Sequence, residues 1–214
     1  MLAWLTARWD ALPALPVARV AVDGVAGAGK TTLADELARR LRRLGRPVIR
    51  VSIDGFHQPR VARYRRGRTS PEGFYRDSYD LAALEREVLV PLAPGGSGQY
   101  RPQVFDVTRD EPVPAHAQEA EPGSVLIVDG LFLHRPELRD WWHDSVFLRV
   151  PFEVSVPRGA ARGPGYGSPD PLADSNRRYV EGHCLYFREA DPEAHAGVVL
   201  DYTDLNAPRI VTAR

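Results

Sequence analysis

The stretch "AVDGVAGAGKTTLADELARR" at residues 21–40 decides the fold. Within it, residues 24–31 fit the phosphate-binding pattern G-x-x-x-x-G-K-[ST]. A β-branched run at 19–24 precedes the loop, and leucines at three- and four-residue spacing follow over 31–45, which predicts a buried strand and then an amphipathic helix. A second apolar run at 47–54 completes a strand–helix–strand unit. This unit predicts a parallel sheet with a right-handed crossover.

Lys30 is the only lysine in a chain whose lysines and arginines total 28. Arginine serves wherever a positive charge is enough, and lysine remains where a compact ammonium must reach the β- and γ-phosphates of a nucleotide. Thr31 offers a hydroxyl to Mg²⁺, so the loop predicts Mg²⁺ and, as co-substrate, ATP. The residues expected to surround the phosphates are Gly24, Ala26, Gly27, Ala28, Gly29, Lys30, Thr31 and Thr32.

The composition is that of a soluble globular chain, with 214 residues, 43% of them apolar, and a formal net charge of +0. Zero net charge argues against nucleic-acid and membrane partners and leaves a small molecule as the expected partner, with a homo-oligomer open. Cys184 is the only cysteine, which excludes an internal disulfide and suits the cytoplasm. Apolar residues at helical spacing indicate a packing helix within 1–18 rather than a signal peptide. We expect a single domain over 1–214.

Two aspartates follow buried strands at the sheet edge where ligands bind in open α/β folds. Asp54 ends the second strand, where it can accept a proton from an attacking hydroxyl or help to hold Mg²⁺; an ordinary turn aspartate is the alternative. Asp129 ends the apolar run 124–130 and has the form of a Walker B carboxylate. We expect Thr31 and Asp129 to hold the metal, directly or through water.

Arginines flank a Gly- and Pro-rich segment that has the composition of a lid. Arg158 and Arg162 are four residues apart, a spacing that puts them on one helix face, just before the segment 164–174. Such arginines can stabilise the charge that develops during phosphoryl transfer and exclude water. A solvated helix end in an arginine-rich protein is the alternative. Arg177 opens the next helix and could face the same cavity.

The remaining pattern predicts an α/β fold with a central parallel sheet flanked by helices on both faces. Helices are expected at 81–93, 136–144, 153–163 and 175–190, and strands at 124–130, 145–151 and 197–204.

The chain resembles the uridine kinase branch of the P-loop kinases, which includes uridine–cytidine kinases, phosphoribulokinase and bacterial pantothenate kinase. The similarity runs over most of residues 19–204 and is carried, in order, by "VDGVAGAGKTTLA", "IDGFH", "SYDLAALEREVLVPL", "YRPQVFDVTRDEP", "VLIVDGLF" and "RGAARG". It implies a three-layer P-loop fold and transfer of the γ-phosphate of ATP to a primary hydroxyl. In that reaction Asp54 is the general base, Lys30 contacts the phosphates, and Arg158 and Arg162 act from a lid over 158–176.

The resemblance also implies that residues 55–113 form the acceptor site. The acceptor-binding candidates are His57, Tyr75, Asp77, Tyr79, Phe105, Arg109 and Arg177. Uridine and cytidine are the first acceptors to expect, in nucleoside salvage. The segment "FDVTRDE" lacks the histidine with which uridine–cytidine kinases help to recognise the pyrimidine, so pantothenate or a sugar is the alternative within the family.

Two positions depart from the family pattern and support a different class, a nucleotide sensor that performs no transfer. Asp129 stands where glutamate is usual, and Gly163 stands where the lid signature has aspartate. Against a sensor, Lys30, Thr31 and Asp54 occur together with two lid arginines. A nucleic-acid-remodelling ATPase is disfavoured by the zero net charge and by the lack of a second lobe.

Overall fold

The computed structural model describes residues 1–13, 15–114, 116–163 and 167–214. Residues 164–166, which belong to the expected lid, lie outside the described part. Strands are β1 (Val17–Gly24), β2 (Val48–Ser52), β3 (Gln99–Tyr100), β4 (Phe105–Asp106), β5 (Glu111–Pro112), β6 (Gln118–Glu119), β7 (Ser124–Gly130), β8 (Asp144–Arg149), β9 (Val198–Asp201) and β10 (Arg209–Ala213). Helices are α1 (Leu2–Asp10), α2 (Lys30–Arg43), α3 (Arg60–Arg63), α4 (Pro71–Asp77), α5 (Leu81–Leu84), α6 (Phe152–Ala160), α7 (Asp174–Ala190) and α8 (Pro192–His195).

The main sheet has the strand order β10-β9-β8-β1-β7-β2 among the described residues. All neighbours are parallel except β9 and β10, so the predicted central parallel sheet is confirmed. Strand β1 lies inside the sheet between β7 and β8 and is buried along its whole length. The loop that follows it therefore leaves the sheet at its centre, between two neighbouring strand ends.

Helices cover both faces of the sheet and create two apolar cores. On one face α1 and α2 pack through Trp9, Leu33, Leu37 and Leu41, all buried. Their helical spacing is the one read from the sequence, because positions three and four apart share a helix face. On the other face α4, α5 and α7 cover the strands with a cluster rich in aromatic rings that includes Phe132. No helix in the described ranges is long and apolar enough to cross a membrane.

Several elements differ from the expected pattern, and the helices α3, α4 and α8 were not expected at all. The helix expected at 81–93 is α5 followed by a π-helical turn at Glu85–Leu89. Of the helix expected at 136–144, only a 3₁₀ turn at Arg139–Trp141 forms. It ends there because the backbone of Trp142 is extended and its indole N–H donates to the Leu133 carbonyl. Strand β10 was not expected: its residues are exposed, so it lacks the burial that gives a strand its apolar signature.

Candidate active site

A cavity of about 550 Å³ opens at the carboxyl ends of β1 and β7, beside the segment that follows β2. Its walls come from the loop after β1, from the two aspartates at the strand ends, from α6 and α7, and from Arg162 and Gly167. The main lining side chains and backbone positions are Ala26, Gly27, Lys30, Thr31, Asp54, Asp129, Ser155, Arg162, Asn176 and Tyr179. Four of the eight residues predicted to bind phosphate thus face one space with the residues predicted to bind metal or protons, whereas Gly24, Ala28, Gly29 and Thr32 do not line it.

The loop needs glycine at two positions. Gly27 and Gly29 have φ angles of 77° and 96°, in the left-handed region that side chains disfavour. A Cβ on Gly27 would also lie 2.1 Å from the Ser155 carbonyl oxygen, so α6 packs directly on the loop backbone. Gly29 is the N-cap residue directly before α2, and the loop therefore presents its backbone N–H groups at a helix N-terminus.

The Lys30 ammonium lies at the base of the cavity and donates to the Val25 carbonyl over 2.8 Å. Burial lowers its pKa to about 8, although the carboxylates of Asp23, Asp54 and Asp129 oppose the shift. The nearby charge of Arg162 lowers the pKa further, so these two cations act on the same space. Phosphate oxygens placed there would favour the protonated ammonium.

The predicted metal residues contact each other. The Thr31 hydroxyl donates to Asp129 Oδ2 over 2.6 Å, and Asp129 is buried. A hydroxyl whose proton is held by a carboxylate keeps its lone pairs for a cation, and Mg²⁺ prefers oxygen ligands. The chemistry of the pair therefore fits Mg²⁺, which the Thr31 hydroxyl would help to hold while Asp129 orients that hydroxyl.

Sequence reasoning missed a third member of this group. Arg50 on β2 donates from Nη2 to Asp129 Oδ1 over 2.8 Å and from Nε to Asp35 over 3.0 Å. The available signal was an arginine alternating with apolar residues on a strand, which places it on the opposite face from Ile49 and Val51.

Asp54 is the second residue of a 3₁₀ turn at Ile53–Phe56, directly after β2, and its side chain is exposed to the cavity. The Tyr79 hydroxyl donates to Asp54 Oδ1 over 3.1 Å. Burial, followed by the Asp54 charge, raises the pKa of Tyr79 well above its usual value, so the hydroxyl stays a donor. The ring of His57 contacts that of Tyr79 at 4.6 Å between centroids.

Asp54 also borders a second cavity of about 420 Å³. Phe105 and Asp106 line this second cavity together with Arg50 and Gln103. Among the acceptor candidates, the structure thus brings His57 and Tyr79 to Asp54 and puts Phe105 beside it.

The other acceptor candidates lie elsewhere. Tyr75 is buried in the aromatic core, where its ring packs on Phe132 and Tyr186. Asp77 is buried and paired with two arginines of the preceding segment, Arg177 pairs with Glu181, and Arg109 is exposed beside Asp106. Aromatic and charged residues serve packing and ion pairs as readily as ligand binding, and their types alone did not separate these uses.

The two lid arginines diverge. Helix α6 contains Pro157 and ends at Ala160, so Arg162 lies beyond it and the helix face expected from the four-residue spacing does not form. Arg162 lines the main cavity. Arg158 instead donates to the backbone carbonyls of Tyr202 and Thr203, which holds the segment after β9 in place. Its role in catalysis stays a prediction.

Buried polar groups support the loop from behind. His183 on α7 accepts a hydrogen bond from the Ala26 backbone N–H, with 3.2 Å between the two nitrogens. Asp23 accepts hydrogen bonds from the His134 ring, over 2.8 Å, and from the Tyr186 hydroxyl. Neither His183 nor His134 could be singled out from the sequence, because their contacts with Ala26 and Asp23 join distant parts of the chain.

His183 should make the protein sensitive to acid. Burial, with the charge of Lys30, lowers the pKa of His183 to about 3, whereas an exposed histidine has a value near 6.5. Between these values the unfolded chain binds the proton and the folded chain does not. The free energy of unfolding should therefore fall as the pH drops below about 6.5, by at most about 5 kcal/mol from this residue.

Urea unfolding at pH 7.5, 6.0 and 4.5 tests this expectation. His183→Gln keeps an acceptor for Ala26 but does not titrate, so its stability should fall less on acidification than that of the wild type. A residual slope remains in both proteins, because burial also lowers the pKa values of His57 and His143. Equal slopes for the two proteins would contradict the burial of a neutral His183.

The family model for the AAA domain matches residues 20–179. Among solved structures, a possible uridine kinase from Bacillus stearothermophilus is 22% identical with a TM-score of 0.75, covering 95% of this chain and 97% of its own. A putative fructose transport system kinase from Silicibacter sp. TM1040 is 28% identical with a TM-score of 0.65, covering 85% and 94%. Phosphoribulokinase from Rhodobacter spheroides is 16% identical with a TM-score of 0.60, covering 87% and 70%. A search of curated proteins found no match.

Proposed function

The chain belongs to the AAA domain family, and from that premise we propose that it is a Mg²⁺- and ATP-dependent phosphotransferase. It moves the γ-phosphate to a primary hydroxyl of a small molecule, with a pyrimidine nucleoside as first candidate. One observation carries the proposal. A carboxylate fixed by a tyrosine hydroxyl, Asp54, shares its cavity with the loop lysine and with the Thr31–Asp129 pair.

The residues divide the work of phosphoryl transfer. The N–H groups of the loop and the Lys30 ammonium hold the β- and γ-phosphates. Thr31, with its hydroxyl held by Asp129, would help to hold Mg²⁺, which would supply positive charge to the phosphate oxygens. Asp54 accepts the proton of the attacking hydroxyl, and Tyr79 keeps the carboxylate oriented. Arg162 adds positive charge from the far wall, where negative charge spreads over the transferred group.

The charges around the acceptor side support an uncharged acceptor. Three of the four arginines of the segment 63–68 are engaged with carboxylates: Arg63 pairs with Asp110, and Arg65 and Arg66 both pair with Asp77. The guanidinium of the fourth, Arg68, lies over the Tyr64 ring. An acceptor bearing a carboxylate, such as pantothenate, would need a cation that is not already neutralised. These ion pairs favour a nucleoside or a sugar.

Aromatic rings favour the nucleoside over the sugar. Tyr79 and His57 lie in contact beside Asp54, and Phe105 borders the second cavity that Asp54 also lines. Planar rings stack on aromatic faces, whereas a sugar is recognised mostly through hydrogen bonds to its hydroxyls. The sugar remains the alternative acceptor, since it satisfies the charge argument equally well.

Acceptor-dependent ADP release tests the proposal. Mg·ATP is mixed with uridine, cytidine, the purine nucleosides, fructose, pentoses and pantothenate, with ATP alone as the reference. We expect release with a pyrimidine nucleoside at least about 100-fold above the reference, because an acceptor kinase excludes water from its closed site. Release with fructose alone would keep the mechanism and change the acceptor. Binding of ATP without release for any acceptor would contradict the proposal and favour the nucleotide sensor.

A further inference from the structure

Arg50 connects three parts of the chain near the Thr31–Asp129 pair. It lies on the edge strand β2, opposite Ile127 of β7, and its guanidinium extends towards the strand ends. Nη1 donates to the Ile127 carbonyl over 2.8 Å, while Nη2 and Nε bind the carboxylates of Asp129 and Asp35. The side chain is largely shielded, with 18% of its surface exposed. It is therefore a fixed charge within the fold.

Both oxygens of the Asp129 carboxylate are engaged as a result. Oδ1 accepts from Arg50 over 2.8 Å, and Oδ2 accepts from the Thr31 hydroxyl over 2.6 Å. Each oxygen keeps a second lone pair, so a divalent cation that coordinated Asp129 directly would have to lie beside one of these donors. If it took Oδ1, it would also lie next to the positive guanidinium, where Coulomb repulsion is strong because the carboxylate is buried.

We propose that Arg50 reserves Asp129 as the hydrogen-bond acceptor of Thr31 and so keeps the pair from capturing a divalent cation before a nucleotide arrives. The inference rests on the proposed function, since it concerns the Mg²⁺ of that same site. The polyphosphate of ATP brings the negative charge and the oxygen ligands that the protein alone withholds. The metal then enters with the nucleotide, and Asp129 supports it through the Thr31 hydroxyl.

Mn²⁺ binding to the nucleotide-free protein tests the inference, with the fraction of free Mn²⁺ read by electron paramagnetic resonance. Arg50→Met removes the guanidinium and frees Asp129 Oδ1. The variant should bind Mn²⁺ at least about tenfold more tightly than the wild type, because an outer-shell charge next to a metal carboxylate has effects of this size. Arg40→Met is the matched control, because it removes the ion pair between Arg40 and Glu36 on α2. The affinity of this variant for Mn²⁺ should equal that of the wild type.

The site of any added Mn²⁺ is checked by combining Arg50→Met with Thr31→Val. The double variant should lose the gain, since the threonine hydroxyl is the second ligand. An affinity of Arg50→Met equal to that of the wild type, or a gain that survives in the double variant, would overturn the inference. If Arg50→Met fails to fold, as judged by circular dichroism, Arg50→Gln keeps a donor for the Ile127 carbonyl without the charge, and the same outcomes apply.

Failure of this inference differs from failure of the proposed function. The Mn²⁺ measurement needs neither acceptor nor turnover. A protein that phosphorylates its acceptor while Arg50→Met leaves Mn²⁺ affinity unchanged rejects only the role of Arg50. A protein that transfers no phosphate but shows the tenfold gain rejects the kinase and retains Arg50 as a charge that controls metal entry.

Discussion

Asp54→Asn should lower kcat for acceptor phosphorylation by about 1,000-fold and leave the affinity for ATP within about threefold of the wild type. An amide has nearly the shape of the carboxylate and can still contact the Tyr79 hydroxyl. It cannot take the proton of the attacking hydroxyl. The proposed phosphate contacts lie on the loop and on Lys30, so nucleotide binding should be largely preserved. Single-turnover transfer and ATP titration measure the two quantities separately.

Asp140→Asn provides the control for this substitution. Asp140 is a surface aspartate with 92% of its side chain exposed, and its replacement should leave both kcat and ATP affinity unchanged. A kcat for Asp54→Asn within tenfold of the wild type would show that Asp54 is not the base. If the affinity for ATP fell to a similar extent, Asp54 would instead contribute to binding the metal or the nucleotide.

Lys30→Arg should cost about 1,000-fold in kcat/KM for ATP, nearly as much as Lys30→Met, even though arginine keeps the positive charge. The ammonium lies under the loop and donates to the Val25 carbonyl, so the wider, planar guanidinium does not fit the same place. All the remaining positions among the 28 lysines and arginines are arginine. The Lys30→Arg variant therefore tests directly whether position 30 requires the shape of lysine. The measurement is steady-state kinetics of both variants.

Stability provides the control for the lysine variants. Burial lowers the pKa of Lys30 to about 8, so the charged form is disfavoured in the folded protein without nucleotide. The folded state gains stability as the pH rises through about 8 towards the ordinary lysine value, where the unfolded chain still binds the proton. Below pH 8, Lys30→Met should therefore unfold at a temperature no lower than the wild type. An active Lys30→Arg enzyme would contradict the geometric argument.

The loop and its flanking elements could be predicted because their signals are local. The positive φ angles of Gly27 and Gly29 require glycine, and α2 buries leucines at helical spacing. The parallel sheet follows from one strand–helix–strand unit and its handedness. These features depend on neighbours within about 15 residues, which a sequence displays directly.

The supporting contacts could not be predicted because they join distant positions. Arg50 meets Asp129 across 79 residues, and His183 meets the Ala26 N–H across 157. Neither contact has a local pattern, and each depends on how two elements pack. Arg158 illustrates the same limit. Its spacing from Arg162 suggested that the two side chains share a helix face, but α6 ends at Ala160. Arg158 therefore binds the Tyr202 carbonyl, whereas Arg162 lines the cavity.

Label transfer from [γ-³²P]ATP in the presence of uridine or cytidine shows whether this cavity transfers phosphate to a hydroxyl. The label should appear in the nucleoside monophosphate, in amounts equal to the ADP formed, and Asp54→Asn should slow its formation by about 1,000-fold. Label found only in inorganic phosphate, or retained entirely in bound ATP with every acceptor offered, would contradict such transfer.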